Sequence, residues 1–439
     1  MHGVKTHQAL LTSSLLAAVT TLAEAPPPRP VMADFMGVCG HTVQFKPELY
    51  RQVCRLARDY HPVEWDLGKD SDFITTFPFA RNRVSWEQVY GSWRKQGFDI
   101  VASLMFESLK PPQWKDVPCD AFAYGQAFAK YCGPSAHQLV DAVEIGNEPG
   151  DWSDAAYRMM FEHMARGLRA GDPRLRIATC AANAGKSEKY SKALTCFQGL
   201  EPLYDIITVH SYAMLENWPT WRRGCPENPK LLDYLPRVQA VCDWRAAHAP
   251  GKAVWLTEFG YDATTKPPPK TGDFKKWVGI TDVQQAQWLV RSFLVFSALP
   301  VDRAYLYFFN DRDEPQLHGS SGLTRNFQPK PAFHAVAHLY RSLGAYRFAR
   351  AVSQQSDRYL FEYQHATDKQ ARVWVAWSPT ANDRQERCTL PTLPGKLLKA
   401  ERMPLAADSN PTVTSLEMQG TAATVTLTES PLYLWLQLP

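Results

Sequence analysis

The chain has 439 residues, 45% hydrophobic and 21% charged, with a formal net charge of +4. That is ordinary for a globular protein and leaves room for a sizeable core and two domains. The charge is mild and spread out, which excludes an electrostatic nucleic-acid binder. No Walker loop, dinucleotide fingerprint, Cys-x-x-Cys or His-Glu-x-x-His pair points to a nucleotide cofactor or a metal.

The N-terminus reads as a secretory signal. Lys5 supplies a positive charge, Leu10 to Leu22 an apolar core, and Ala23-Glu24-Ala25 a small-x-small cleavage site. Residues 1–25 are expected to be removed, leaving a secreted or periplasmic chain. The apolar run is broken by Thr and Ser and is short for a spanning helix, so no membrane anchor is expected. All nine cysteines lie beyond the cleavage site. Export permits disulfides, and Cys119 with Cys132, or Cys225 with Cys242, could close loops.

From there, strand and helix signals alternate eight times. The first strand is expected at Phe35 to Cys39, before a helix opened by Pro47 with Leu49, Val53 and Leu56 at helical spacing. The second is expected at Val63 to Leu67. A loop through Phe77-Pro78-Phe79 then leads to a helix capped by Ser85. The third runs from Ile100 to Phe106, with a helix from near Asp120. The fourth, Val143-Glu144-Ile145, stops at Gly146-Asn147-Glu148-Pro149. Its helix starts at Ser153 and carries Tyr157, Met160, Phe161, Met164 and Leu168 on one face. The fifth is Arg176 to Ala181, followed by a short helix around Tyr190 to Phe197. The sixth, Ile206 to Tyr212, precedes a loop with Trp218 and Trp221 and a long helix from Leu231 to Trp244. The seventh ends at Glu258, and Thr281 caps a helix through Leu299. The eighth is Arg303 to Asn310, and a last helix spans Pro331 to Leu343.

Eight such units predict a closed (β/α)8 barrel over residues 26–344. An open doubly wound sheet normally carries fewer units and a glycine-rich first turn, which this chain lacks. From Ala345 the pattern changes to period 2, as in Tyr359 to Tyr363 and Val373 to Trp377. Residues 345–439 therefore predict a small antiparallel β-sandwich.

In such a barrel the chemistry gathers at the C-terminal ends of the strands. His41, Asn147, Glu148, His210, Tyr212, Glu258 and Asn310 all fall there. A carboxyl group half out of a hydrophobic wall binds its proton more tightly, which suits a general acid. Two of them are the minimum equipment for cleaving a glycosidic bond. A lone glutamate after a strand is more often a solvated loop charge; the matching surroundings single out Glu148 and Glu258 as a pair. Trp152, Trp218 and Trp221 lie in loops on the same face, either as platforms for sugar rings or as loop packing. Arg81 and Arg83 could meet an acidic sugar. A metal hydrolase would need a convergent set such as His41, His210 and Asp66. A serine esterase would need a nucleophile elbow, and Gly319-Ser320-Ser321-Gly322 is not one.

Asn147-Glu148-Pro149 after one strand and Thr257-Glu258-Phe259-Gly260 after another resemble the clan A glycoside hydrolases. Those are retaining enzymes with the acid/base and the nucleophile at the ends of barrel strands four and seven. The strand count above puts Glu148 on the fourth and Glu258 on the seventh. Thr281 to Leu299, Arg303 to Asp311, Gly322-Leu323, Lys330-Pro331-Ala332 and the C-terminal β-domain are similar to family 39, with families 5 and 79 also open. Family 39 often carries Trp before Asn-Glu-Pro, and here that place is Gly146. The resemblance implies a retaining glycosidase with a carbohydrate substrate, no cofactor, and neither nucleic acid nor membrane as partner. It implies Glu258 as nucleophile, Glu148 as acid and then base, and Asn147 on the sugar 2-hydroxyl. Tyr212 would bond Glu258 and His210 would line the subsite. His41, Asn310 and Trp152 complete the expected substrate contacts. A non-catalytic carbohydrate binder on the same fold is the alternative.

Overall fold

A computed structural model describes residues 28–72, 84–413 and 416–439. The expected signal over residues 1–25, Phe77-Pro78-Phe79, Arg81 and Arg83 lie outside the described residues.

Eight parallel strands form a barrel. They are β1 (Met36–Gly40), β2 (Leu56–Pro62), β3 (Asp99–Met105), β4 (Ala142–Ile145), β5 (Arg176–Asn183), β6 (Ile206–His210), β7 (Ala253–Phe259) and β8 (Arg303–Leu306). Each pairs with the next, and β8 closes on β1 with Met36 opposite Ala304 and Val38 opposite Leu306. Inside, Cys39, Leu56, Val101, Ala142, Ala178, Ile206, Trp255 and Tyr305 pack as one cluster, so the barrel is filled rather than hollow.

Around it lie α1 (Trp86–Lys95), α2 (Val117–Cys132), α3 (Asp154–Gly171), α4 (Leu235–His248), α5 (Asp282–Ala298) and α6 (Pro331–Leu343). Several starts are legible as caps. The side chains of Ser85, Asp116 and Ser153 accept from the backbone N–H groups of Gln88, Cys119 and Ala156. Thr281 and Gln284 bond each other's backbones in a reciprocal capping box.

Four expectations are corrected. The second strand is not Val63–Leu67, which is a short helix, but the preceding Leu56–Pro62. The helix opened by Pro47 accordingly ends at Tyr50. The strand was hidden because Arg58, Asp59, Tyr60 and His61 break the apolar pattern, and all four find polar partners inside the fold. Instead of a helix over Tyr190 to Phe197, Lys192–Ala193 pairs with β5 and a 3-10 turn follows at Leu194–Phe197. The long helix starts at Leu235 rather than Leu231, with Pro236 in its first turn.

Beyond α6 come β9 (Tyr346–Gln354), β10 (Tyr359–His365), β11 (Ala371–Trp377), β12 (Glu386–Thr389), β13 (Lys396–Arg402), β14 (Glu417–Gln419), β15 (Ala422–Leu427) and β16 (Leu432–Gln437). They make two antiparallel sheets, β9-β10-β11-β16-β13 and β12-β15-β14. The period-2 pattern has a clear consequence. Leu360, Trp374 and Leu434 face Val425 and Leu427 within the sandwich, while Phe361, Val375, Trp377 and Tyr433 join the barrel's core.

All nine cysteines are free thiols. Cys119 and Cys132 sit in the first and last turns of α2, about 20 Å apart along its axis and far beyond disulfide reach. Among the described residues no helix is long and apolar enough to cross a membrane.

Candidate active site

The end of β4 turns sharply at Gly146, whose φ is +82°. A side chain there would be strained, and its Cβ would stand 2.8 Å from the Phe106 ring. That explains glycine at this place and brings Asn147 and Glu148 to the barrel mouth. Glu258, the penultimate residue of β7, is 5% exposed. His210, the last residue of β6, stands between the two glutamates. Its Nδ1 is 2.9 Å from Glu148 Oε1 and 3.6 Å from Glu258 Oε2. One oxygen of each carboxylate and one ring nitrogen of His210 all lie within 4.8 Å of one another.

Glu258 is held ionised. Burial alone would push its carboxyl up, but the charges of His210 and Arg58 and the hydroxyls of Tyr212 and Tyr60 hold it at about 2. Tyr212 donates to Oε2 at 2.7 Å, Tyr60 donates to Oε1 at 2.7 Å, and Arg58 Nη1 donates to Oε1 at 3.0 Å. His210 is pushed the other way. Burial opposes its protonation, but the two neighbouring carboxylates outweigh that and raise its pKa.

Most of the residues expected from the sequence converge. A cavity of about 400 Å³ is lined by His41, Asn147, Glu148, Tyr212 and Glu258 among others. Asn147 Oδ1 accepts from Arg58 Nη2 at 2.7 Å, which leaves its amide nitrogen to donate. Asn310 lies apart, in an adjoining cavity of about 310 Å³ that shares His41 and His318 with the first. Its Oδ1 already accepts from the Phe327 N–H and the Thr324 hydroxyl. Phe308 lines that second cavity, while Phe309 is buried and stacks on Tyr50. Trp152 is not at the mouth: it is 2% exposed and packs edge-on against Phe106. Trp218 is 66% exposed, whereas Trp221 is partly buried. Asp66 is buried in a separate network with His61, Trp86 and Tyr124, so it makes no set with His41 and His210.

Several residues at the site escaped the sequence reading. Arg58 is fully buried and ties Glu144 on β4 to Glu258 on β7. Tyr60, Trp65, Met105, Tyr307 and His318 line the main cavity. The available signal was an arginine and a tyrosine two apart in a run flanked by Leu56-Ala57 and Pro62, since alternate strand positions share a face. His210 with the two glutamates would be the natural grip for a cation. The Arg58 guanidinium beside Glu258 opposes one, so the set fits a charge-balanced carboxylate pair better than a metal centre.

No protein-family model matches the chain, and no curated protein matches it. Solved structures do. A family 39 glycoside hydrolase from the gut symbiont Bacteroides cellulosilyticus WH2 aligns with a TM-score of 0.68 at 18% identity, covering 94% of this chain and 83% of that one. A family 30 subfamily 8 xylanase from Clostridium acetobutylicum aligns at 0.57 and 12%, over 93% of this chain and 97% of the other. A family 51 α-L-arabinofuranosidase from Bifidobacterium longum aligns at 0.58 and 13%, over 94% and 98%. At such identities the similarity is one of fold, and it extends over barrel and β-sandwich together, since 93–94% of this chain is covered by these glycoside hydrolase structures.

Proposed function

We propose that the chain is a retaining glycosidase that cleaves an oligo- or polysaccharide by double displacement. The observation that carries this is the close approach of the two carboxylates, with facing oxygens within 4.8 Å. Retaining enzymes place their carboxyl groups about 5–5.5 Å apart, whereas inverting ones leave about 6.5–9.5 Å for a water.

Glu258 is the nucleophile. Being ionised and nearly buried, it attacks the anomeric carbon and forms the glycosyl-enzyme. Glu148, with its side chain 27% exposed, gives its proton to the leaving oxygen and then deprotonates the incoming water. His210 passes between the two as a hydrogen-bond partner of Glu148. Asn147 donates to the sugar 2-hydroxyl, a bond that strengthens as charge develops on the ring. Trp65 and Tyr307 supply aromatic faces for the sugar. The apolar run Leu10 to Leu22 supports export of the chain.

The test is intact-mass analysis after incubation with a panel of cyclophellitol-type and 2-fluoro-glycoside probes. Wild type should gain one label that maps to Glu258, Glu258→Gln should gain none, and the reactive probe would name the sugar. A label elsewhere would overturn the assignment. Polysaccharide binding without any label would favour the non-catalytic reading.

A further inference from the structure

Glu107 follows β3 in the short turn Phe106–Ser108, and no step of the double displacement uses it. Its Oε1 accepts a hydrogen bond from the backbone N–H of Asn147 at 2.7 Å and another from that of Glu148 at 3.2 Å. Its Oε2 is buried without a hydrogen-bond partner among the described residues.

We infer that Glu107 is a positioning residue for the acid/base, fixing Glu148 through its backbone; this rests on the glycosidase reading. Little else holds the Glu148 carboxyl group. Among the described residues its side chain has one hydrogen bond, to His210. Its backbone stands just past the end of β4, where the strand ladder no longer supplies acceptors for N–H groups. Two consecutive N–H groups at a turn form a small positive cradle, and a carboxylate fills it better than a neutral acceptor. General acid catalysis needs the proton within hydrogen-bond reach of the leaving oxygen, so the turn's position sets its efficiency. The nucleophile is fastened by Arg58, Tyr60 and Tyr212; Arg58 also donates to the Asn147 side chain, but the bonds of Glu107 go to the backbone of the turn alone. Glu107 therefore serves one carboxylate and not the other.

Its protonation adds a second feature. Burial pushes Glu107 up to about 7, against the pull of the N–H groups that it accepts from, and the charge of Glu144 adds to the rise. Tyr157 on α3 and Cys180 on β5 also feel its charge. The grip on the turn thus weakens as the carboxyl takes up a proton.

The test compares wild type with Glu107→Ala and Glu107→Gln. The substrates are the phenyl and 2,4-dinitrophenyl glycosides of one sugar. Phenol needs a proton to leave and dinitrophenol does not. Glu107→Ala should lower kcat/KM on the phenyl glycoside by about 100-fold, the lower end of what a general acid contributes, and spare the dinitrophenyl glycoside to within about 3-fold. Glu107→Gln, which keeps an acceptor oxygen, should recover most of the loss. Equal losses on both substrates would overturn the inference, because general structural damage has no leaving-group preference. A second arm needs no activity. In asparagine-selective 15N spectra, the Asn147 amide, assigned by its loss in Asn147→Ser, should move upfield in Glu107→Ala. In wild type it should shift with pH through neutrality. An Asn147 amide that ignores both changes would overturn the inference. Wild type inert on every aryl glycoside would instead overturn the glycosidase reading, while the amide still decides whether Glu107 holds the turn.

Discussion

Tyr60 is the residue most informative about the site's electrostatics. Among the described residues it is one of two hydroxyls donating to Glu258, one on each oxygen. Tyr60→Phe removes that donor and little volume. A hydrogen bond to a charged group contributes about 1.5–3 kcal/mol, so kcat should fall by about 10- to 100-fold. The sign of the pH effect follows from the same bond. The donor stabilises the carboxylate and helps keep Glu258 at about 2, so its loss moves the pKa toward the ordinary carboxylate range. The acid limb of kcat/KM should therefore shift to higher pH. A profile with an unmoved limb and unchanged kcat would show that Arg58, His210 and Tyr212 suffice. Glu148 and Glu258 were legible because each ends an apolar strand whose pattern survives on both faces. Tyr60 was not, because its strand spends alternate positions on the site. Trp152 was misplaced for the opposite reason. A tryptophan in a loop looks free in sequence, but the sharp turn at Gly146 brings Phe106 against it.

At the level of elements, β2 shows how a strand can lose its sequence signature and keep its place. Arg58 and Tyr60 reach into the barrel mouth, and Asp59 and His61 reach out toward α1. Asp66, just beyond, collects the outer side of this arrangement. It accepts from Trp86 Nε1 at 2.6 Å and Tyr124 OH at 2.7 Å, and meets His61 Nε2 at 2.8 Å. These groups belong to α1, α2 and β2, so one carboxylate fastens a strand to two helices. Asp66→Ala would leave three buried polar groups without an acceptor. At about 1–3 kcal/mol for each orphaned group, the loss should reach about 3 kcal/mol or more in urea unfolding. A loss under about 1 kcal/mol would mean that water enters and replaces the carboxylate. The caps at Ser85, Ser153 and Thr281 were readable because they depend on one local hydrogen bond. The short β2 region was not, because its stability comes from partners 20 to 200 residues away, beyond any local pattern.

At the scale of the whole molecule, barrel and sandwich share one core. Phe361, Tyr363, Val375 and Trp377 of the sandwich belong to the same cluster as Phe293 and Leu294 of α5. Polar bonds cross the same seam. Arg291 of α5 pairs with Glu227 and donates to the Thr380 carbonyl at 2.9 Å, while Trp377 Nε1 donates to Glu227 at 2.6 Å. Ser297 and Tyr363 exchange a further hydrogen bond at 2.9 Å. The Arg291 and Glu227 side chains are both essentially buried. Removing one member of such a pair leaves an uncompensated charge and costs about 3–5 kcal/mol. Arg291→Met should therefore lower stability by that amount, although Arg291 bonds neither Glu148 nor Glu258. The sequence pattern separates the two parts at Ala345, where the period changes, but a change of period says nothing about whether the parts unfold separately. The shared core says that they do not. Tryptophan fluorescence, which includes Trp374 and Trp377 of the sandwich, and loss of probe labelling at Glu258 in the barrel should give the same midpoint in wild type and in Arg291→Met. Two separated midpoints in wild type would mean that the seam is too weak to couple the domains, and the sandwich would then be an appendage rather than part of the barrel's wall.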